Sequence, residues 1–303
     1  MLRLIRASLI KYFKSPLLIL ALLCSLVFGM IHGVQAWRYI HNDFDFYSKT
    51  IWLASPMSDL WFKCDTWVLI VLISLVIGRE FSDGTIRNKL FIGHTKKAVY
   101  LSEMISAMVI TSFSFLAFII PTIIGGSYYF FTISPIAFLL LLGELFLFFL
   151  VWSVFSAALT LLIANRAVGV VAVFSIMLFF AVVNVNLRGY YYNTDPAEMT
   201  ETGLEFSEDG KPYSVEKTIR NRWYLEGLPK SLVIIEHEID PFSRSYNACN
   251  YAYLHHPEKA KSHDFEIQHL IDQQIQYDSL ILLVIGGILA AGGLILFQKR
   301  DLK

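Results

Sequence analysis

PIAFLLLLGELFLFFLVWSVFSAALTLLIA, residues 135–164, carries one charged side chain, Glu144, in an otherwise uncharged and largely apolar run. At 1.5 Å per residue a helix of this length reaches about 45 Å, more than the ~30 Å hydrocarbon core of a bilayer. Such a run is read as a membrane crossing. The rest of the chain agrees: of 303 residues, 55% are hydrophobic and 17% charged, with mean hydropathy +0.54. That leaves too little polar surface to close around a water-soluble core. Lys and Arg total 25, as do Asp and Glu, so no broad basic face is available for nucleic acid.

Outward from that stretch, further apolar runs occupy residues 17–36, 60–78, 99–125, 168–187 and 279–297. The expected fold is therefore an all-α polytopic membrane protein with six transmembrane helices, residues 17–187 holding the first five and 279–303 the sixth with a basic tail. The second run carries Lys63 and Asp65 near one end, and only Asn165-Arg166 separates the fourth from the fifth. The first run is not expected to be a cleaved signal peptide, because Trp37-Arg38 follows it in place of a small-residue cleavage site.

Basic residues give an orientation, since cytoplasmic segments retain Lys and Arg. One side collects Arg3, Arg6, Lys11, Lys14, Arg79, Arg87, Lys89, Lys96, Lys97, Arg166, Lys299, Arg300 and Lys303. Both termini are expected in the cytoplasm, the chain being multi-pass in the membrane. The opposite side receives residues 188–278, an acidic segment opened by Tyr190, Tyr191 and Tyr192 and read as an extracytoplasmic domain between the fifth and sixth spans. Turn signals at Asp195-Pro196, Asp209-Gly210, Gly227-Leu228-Pro229 and Asp240-Pro241 divide it. Residues 215–225 and 257–277 read as helical, the second running into the last span, whereas 231–238 fit strand or helix.

Residues 1–16 form a separate amphipathic element. Leu2, Ile5, Leu9, Tyr12 and Phe13 share one helical face, the four cations Arg3, Arg6, Lys11 and Lys14 the other, and Pro16 ends the pattern. An interfacial helix is expected. In the last span, Gly286 and Ala290, like Gly287 and Ala291, stand four apart and offer a small-residue packing face, to this chain or another.

Catalytic chemistry has little support: the chain lacks a phosphate-binding Gly-Lys-Ser/Thr loop, HExxH and GxSxG. No catalytic residue, metal ligand or cofactor is assigned to it. Cys24, Cys64 and Cys249 are too scattered for a disulfide framework, although Cys64 and Cys249 both fall towards the outer side. His237, His255, His256, His263 and His269 match no closed tetrahedral template. Three acids need weighing, because a carboxylate at the bilayer centre costs about 2.5–3.5 kcal/mol. Glu144 either serves a function inside the span or, if the crossing begins after Leu145, sits ordinarily at the outer interface. Glu103 is favoured by the start of its helix and by Lys96 and Lys97; Asp65 and Lys63 are expected to be solvated.

The most distinctive local pattern is Gly78-Arg79-Glu80-Phe81-Ser82-Asp83-Gly84-Thr85-Ile86-Arg87-Asn88-Lys89-Leu90, followed by Gly93-His94-Thr95-Lys96-Lys97. Asp83-Gly84 is a turn signal, and Thr85 is placed to cap a short helix that presents Arg87, Lys89 and Leu90 to a partner. Charge alone is also accounted for by the cytoplasmic bias. The segment resembles the corresponding one in membrane subunits of type-two ATP-binding-cassette (ABC) exporters, particularly bacterial ones of peptide-antibiotic export or immunity. Glu80, Phe81, Gly84 and Thr85 match their Glu-Phe-x-x-Gly-Thr stretch, and the span layout extends the likeness over nearly the whole chain.

That resemblance implies a permease subunit, dimeric with an identical or different second permease chain. Separate cytosolic ATPases, holding ATP and Mg, would press on residues 79–97 through Arg79, Glu80, Phe81, Gly84, Thr85, Arg87 and Lys89. The nearly uncharged spans suit a hydrophobic or amphipathic substrate, such as a peptide antibiotic or lipid. Two other classes fit the same sequence: a proton-coupled secondary transporter using Glu144, and a non-transporting sensor or scaffold using residues 188–278.

Overall fold

Proline, glycine and asparagine set the helix boundaries. In the computed structural model, which describes residues 1–41, 60–125, 135–193, 198–206, 212–220, 227, 229–231, 233–234 and 265–300, α1 (Leu2–Phe13) stops short of Pro16. Pro16 then opens α2 (Pro16–His41), a first-turn position where its missing N–H is harmless. Next come α3 (Leu60–Ser82), the short α4 (Thr85–Phe91), α5 (Lys96–Gly125), α6 (Pro135–Ile163) and α7 (Arg166–Asn193). A hairpin of β1 (Glu198–Phe206) and β2 (Pro212–Arg220) precedes α8 (Phe265–Lys299).

The polar break at Asn165 is a true boundary. Ala164 adopts a left-handed φ of 52°, and Asn165 Oδ1 accepts the Val168 amide at 3.1 Å, capping α7. α6 and α7 are thereby separate helices joined by two residues.

The chain divides into two units, Met1–Leu178 with Ser245–Lys303, and Phe179–Arg244. In the first unit every described element of secondary structure is a helix. By length and composition five segments are able to cross a membrane: Pro16–Gln35, Lys96–Gly125, Leu142–Ile163, Arg166–Val183 and Gln276–Lys299. The second expected run is α3; with Lys63, Asp65, Arg79 and Glu80 along its length, it is not one of these five.

The second unit departs from expectation. Residues 215–220, read from sequence as the start of a helix, lie in β2, which pairs antiparallel with β1 in the register Glu198↔Arg220 to Phe206↔Pro212. In sequence, Tyr213, Val215 and Ile219 alternate with Ser214, Glu216, Thr218 and Arg220, which suits a strand's two-residue period. At the other end of the expected outer segment, residues 265–277 are helical and continue unbroken into the last span as α8; 257–264 lie outside the described residues, as do 235–238 and Cys249.

In the first unit α2 packs along α5, α8 along α6, and α3 against both α2 and α6. Ile70, Ile73, Ile77, Ala107, Ile110, Phe118, Phe148, Phe149 and Leu161 are fully buried between them. Lipid tails are as apolar as leucine, so close packing and internal hydrogen bonds must hold such a bundle together. Both are present. Thr160 donates to Ser74 at 3.0 Å, Ser74 and Ser156 are 2.9 Å apart, and Ser156 donates to the Ile70 carbonyl at 2.8 Å, stitching α3 to α6. Thr111 and Ser153 oxygens, 2.7 Å apart, join α5 to α6.

The tightest crossing is between α2 and α5. A Cβ on Gly29 would collide with the Phe118 carbonyl oxygen, and one on Gly33 would lie 2.6 Å from that of Pro121. The four-residue spacing of Gly29 and Gly33 is the signal for a close backbone approach. The expected small-residue face of α8 packs differently. Gly287 has open space and Ala291 is exposed, Gly286 meets only Val151 at 3.5 Å, and Ala290 offers its carbonyl to the Tyr100 hydroxyl at 3.0 Å. Gly293 is the crowded position, where a Cβ would collide with that hydroxyl.

Candidate functional site

α4 is held at both ends by backbone geometry. Its N-cap is Gly84, at φ 68°, a left-handed conformation that suits glycine. Thr85 is the first helical residue, and no side chain caps the helix, so the capping role read for Thr85 falls to the Gly84 backbone. At the far end Gly93 adopts φ 99°. The Gly93 amide donates to the Leu90 carbonyl at 3.0 Å and the His94 amide to that of Lys89 at 3.2 Å, the paired bonds of a Schellman stop. Thr95 Oγ1 then accepts the Ala98 amide at 3.2 Å and starts α5.

Beneath this helix four elements meet around one ammonium group. Lys89 Nζ donates to Glu80 Oε2 of α3 at 2.7 Å, to Glu103 Oε1 of α5 at 2.6 Å and to Ser8 Oγ of α1 at 3.3 Å. Its three protons are all used. Ser8 in turn donates to Glu103 Oε1 at 2.6 Å, and Lys11 Nζ reaches Glu80 Oε1 at 2.8 Å. Two lysines and two glutamates make the cluster neutral. Glu80, Lys89 and Glu103 are buried, and a buried pair stripped of one partner costs far more than a surface pair.

Burial by itself would lower the Lys89 pKa, but the charges of Glu103 and then Glu80, with their hydrogen bonds, raise it above the ordinary 10.5. The ammonium is therefore retained at neutral pH. Tyr12, one turn beyond Ser8 on the same buried face of α1, has its pKa raised well above 10.0 by burial, then by Glu103 and Glu80. It stays a neutral phenol.

The residues expected to contact a partner thus divide. Arg79 is exposed and bonded to Asp83 at 3.2 Å, Arg87 is exposed, and Phe81 and Thr85 are half-buried. Glu80 and Lys89 point inward. Lys89 shares the three-residue spacing of Ile86, which is also buried, and that common face was the available signal. The exposed apolar tip of α4 is not Leu90 but Phe91 and Ile92, 86% and 78% exposed. Phe91 and Ile92 thus leave two neighbouring bulky apolar side chains in the open.

Sequence reasoning also misplaced partners. Glu103 pairs with Lys89 and Ser8, whereas Lys96 donates to the Gln298 and Arg300 carbonyls at 3.1 and 2.6 Å, closing the end of α8. On α1 the stripe packed into the protein is Leu4, Ser8 and Tyr12, while Leu2 and Phe13 are exposed. Asp65, expected in solvent, is buried and accepts a 2.6 Å bond from Ser25.

Glu144 is likewise fully buried, on a face shared with Phe148 and Val151. Neither of its carboxylate oxygens has a hydrogen-bond partner among the described residues. Asp278 of α8 is its electrostatic neighbour, so two acids adjoin between α6 and α8. Among the described residues no group of three or more His, Cys, Asp or Glu is placed to hold a metal ion. Comparison with known proteins finds no family model and no curated sequence that matches this chain.

Proposed function

We propose that this chain is the permease subunit of an ATP-driven exporter in a bacterial plasma membrane, crossing it six times, with its termini inside and residues 188–278 outside. Separate ABC-type ATPases, carrying ATP and Mg, dock on α4. A second permease chain, identical or not, completes a path for a hydrophobic or amphipathic substrate such as a peptide antibiotic or lipid. The observation that carries the reading is the mounting of α4: a short helix fixed at both ends, clamped below by Lys89, and exposing Phe91, Ile92 and Arg87. A push on that tip passes through Glu80 into α3, through Glu103 into α5 and through Ser8 into α1. Rigid coupling of this kind turns a local load into movement of whole helices.

The test is affinity purification of the full chain in mild detergent, with identification of companion chains and an ATPase assay. An ATPase that co-purifies, and is lost from a Phe91→Asp/Ile92→Asp variant that still folds, supports the proposal. A lone chain that transports solute into liposomes without nucleotide overturns it. A second reading, proton-coupled transport, draws on the buried neighbours Glu144 and Asp278, since acids inside spans commonly serve proton or ion pathways.

A further inference from the structure

Two cavities lie end to end along α2 and α3. One, of about 540 Å³, is an apolar groove bounded by Leu20, Cys24, Trp67, Val71 and Phe174 among others. The other, of about 440 Å³, is polar and is lined by Lys11, Lys14, Arg79 and Arg166 together with Glu80 and Asp83. Leu17 and Leu75 line both. The two spaces therefore adjoin at those two side chains.

The polar cavity carries more positive than negative charge. Glu80 engages Lys11 at 2.8 Å and Asp83 engages Arg79 at 3.2 Å. Lys14 and Arg166 have no carboxylate within ion-pair distance among the described residues. Arg166 opens α7, where the helix dipole adds to its charge. Gly78 admits it closely, since a Cβ there would lie 2.7 Å from the Arg166 Cα. A guanidinium fork and an ammonium beside a helix N-terminus suit a phosphate group.

Phosphate alone gives the adjoining groove no role, and a zwitterionic headgroup brings a cation that Lys14 and Arg166 repel. We propose that the joined cavities hold one anionic glycerophospholipid, its phosphodiester against Lys14 and Arg166 and an acyl chain beside Trp67 and Phe174. Such a lipid fastens α1 and the start of α7 to α3. The site is independent of any docked ATPase.

The experiment is native mass spectrometry of the full chain in mild detergent, with phosphatidylglycerol, phosphatidylcholine or inorganic phosphate added. Phosphatidylglycerol should be retained about tenfold or more over phosphatidylcholine, since each cation near a headgroup contributes roughly a kilocalorie. Lys14→Gln/Arg166→Gln should remove that preference. Val71→Trp, which fills the groove and leaves every charge in place, should reduce phosphatidylglycerol retention by a similar factor and serves if the double variant does not fold. Equal retention of the two lipids overturns the proposal. So does displacement of phosphatidylglycerol by millimolar phosphate, or unchanged retention in either folded variant.

Discussion

Lys89 Nζ stands 2.6 Å from Glu103 Oε1, and this contact ties the short helix α4 to α5, a helix long and apolar enough to cross a membrane. With Glu80 2.7 Å away on the other side, the ammonium is the common support of α3, α4 and α5. A positive charge in this segment was expected to face outward; its burial makes it a brace for the surface that does.

Replacing the brace should therefore damage the fold. Lys89→Met removes the cation and leaves Glu80 and Glu103 buried together, a loss of about 3–5 kcal/mol for a broken buried pair. Arg87→Ala, at an exposed neighbour, should cost less than about 0.5 kcal/mol. Thermal unfolding in detergent, read by circular dichroism, compares the two, and equal midpoints would remove the brace from the account. The pH dependence has a definite sign. Because the folded Lys89 pKa is raised above 10.5, its contribution is complete below the unfolded value and is lost only as pH climbs through the higher folded one. Stability at neutral pH should not depend on this group's titration.

The α2–α5 crossing gives a second prediction. Gly33→Leu places a side chain where even a Cβ would meet the Pro121 carbonyl at 2.6 Å. The helices must then separate, and overpacking of this kind costs about 1–3 kcal/mol. Gly143, exposed and with nothing within 4 Å of a Cβ, is the control; Gly143→Ala should be neutral or stabilise by up to about 1 kcal/mol. Protease resistance in detergent micelles should fall for the first variant only.

Gly84→Ala tests the left-handed start of α4. Space is open around it, so the cost is conformational: φ 68° is strained for any residue with a Cβ, by about 1–2 kcal/mol. The chain should remain folded, with midpoint lowered modestly, while hydrogen exchange at α4 amides speeds up. Unchanged exchange would mean that the turn does not fix the helix.

Hydropathy placed five helices able to cross a membrane and the break at Asn165, because length and apolar content are properties of a contiguous stretch. Pairing is not. Whether Lys89 faced a partner or Glu103 depended on how α1, α3 and α5 approach one another, and charge counting treated Arg87 and Lys89 alike. The spacing of Gly29 and Gly33 was readable, but glycines near the end of α8 drew the packing argument there, where Gly293 proved the crowded one. Asp65 and Glu144 were hard for the same reason: an acid near the end of an apolar run is wet or buried according to its neighbours. For Asp65 the neighbour is Ser25, forty residues away.

Glu144→Gln separates the two transport classes. Glutamine keeps the shape, replaces the carboxyl beside Asp278 with an amide, and carries no titratable proton. If Glu144 is a structural acid, the variant should fold with a midpoint no lower than the parent, since the pair of neighbouring carboxyls is relieved. Export driven by ATP through a docked partner should then persist within about threefold, a change of under 1 kcal/mol in the barrier. A proton-coupled carrier would instead lose transport with its fold intact, because the group that takes up and releases the proton is gone. Proteoliposomes holding the chain with any ATPase that co-purifies, assayed with ATP or with a pH gradient alone, read both outcomes. Gradient-driven uptake abolished by Glu144→Gln would overturn the proposed role of α4 in favour of the α6–α8 acids.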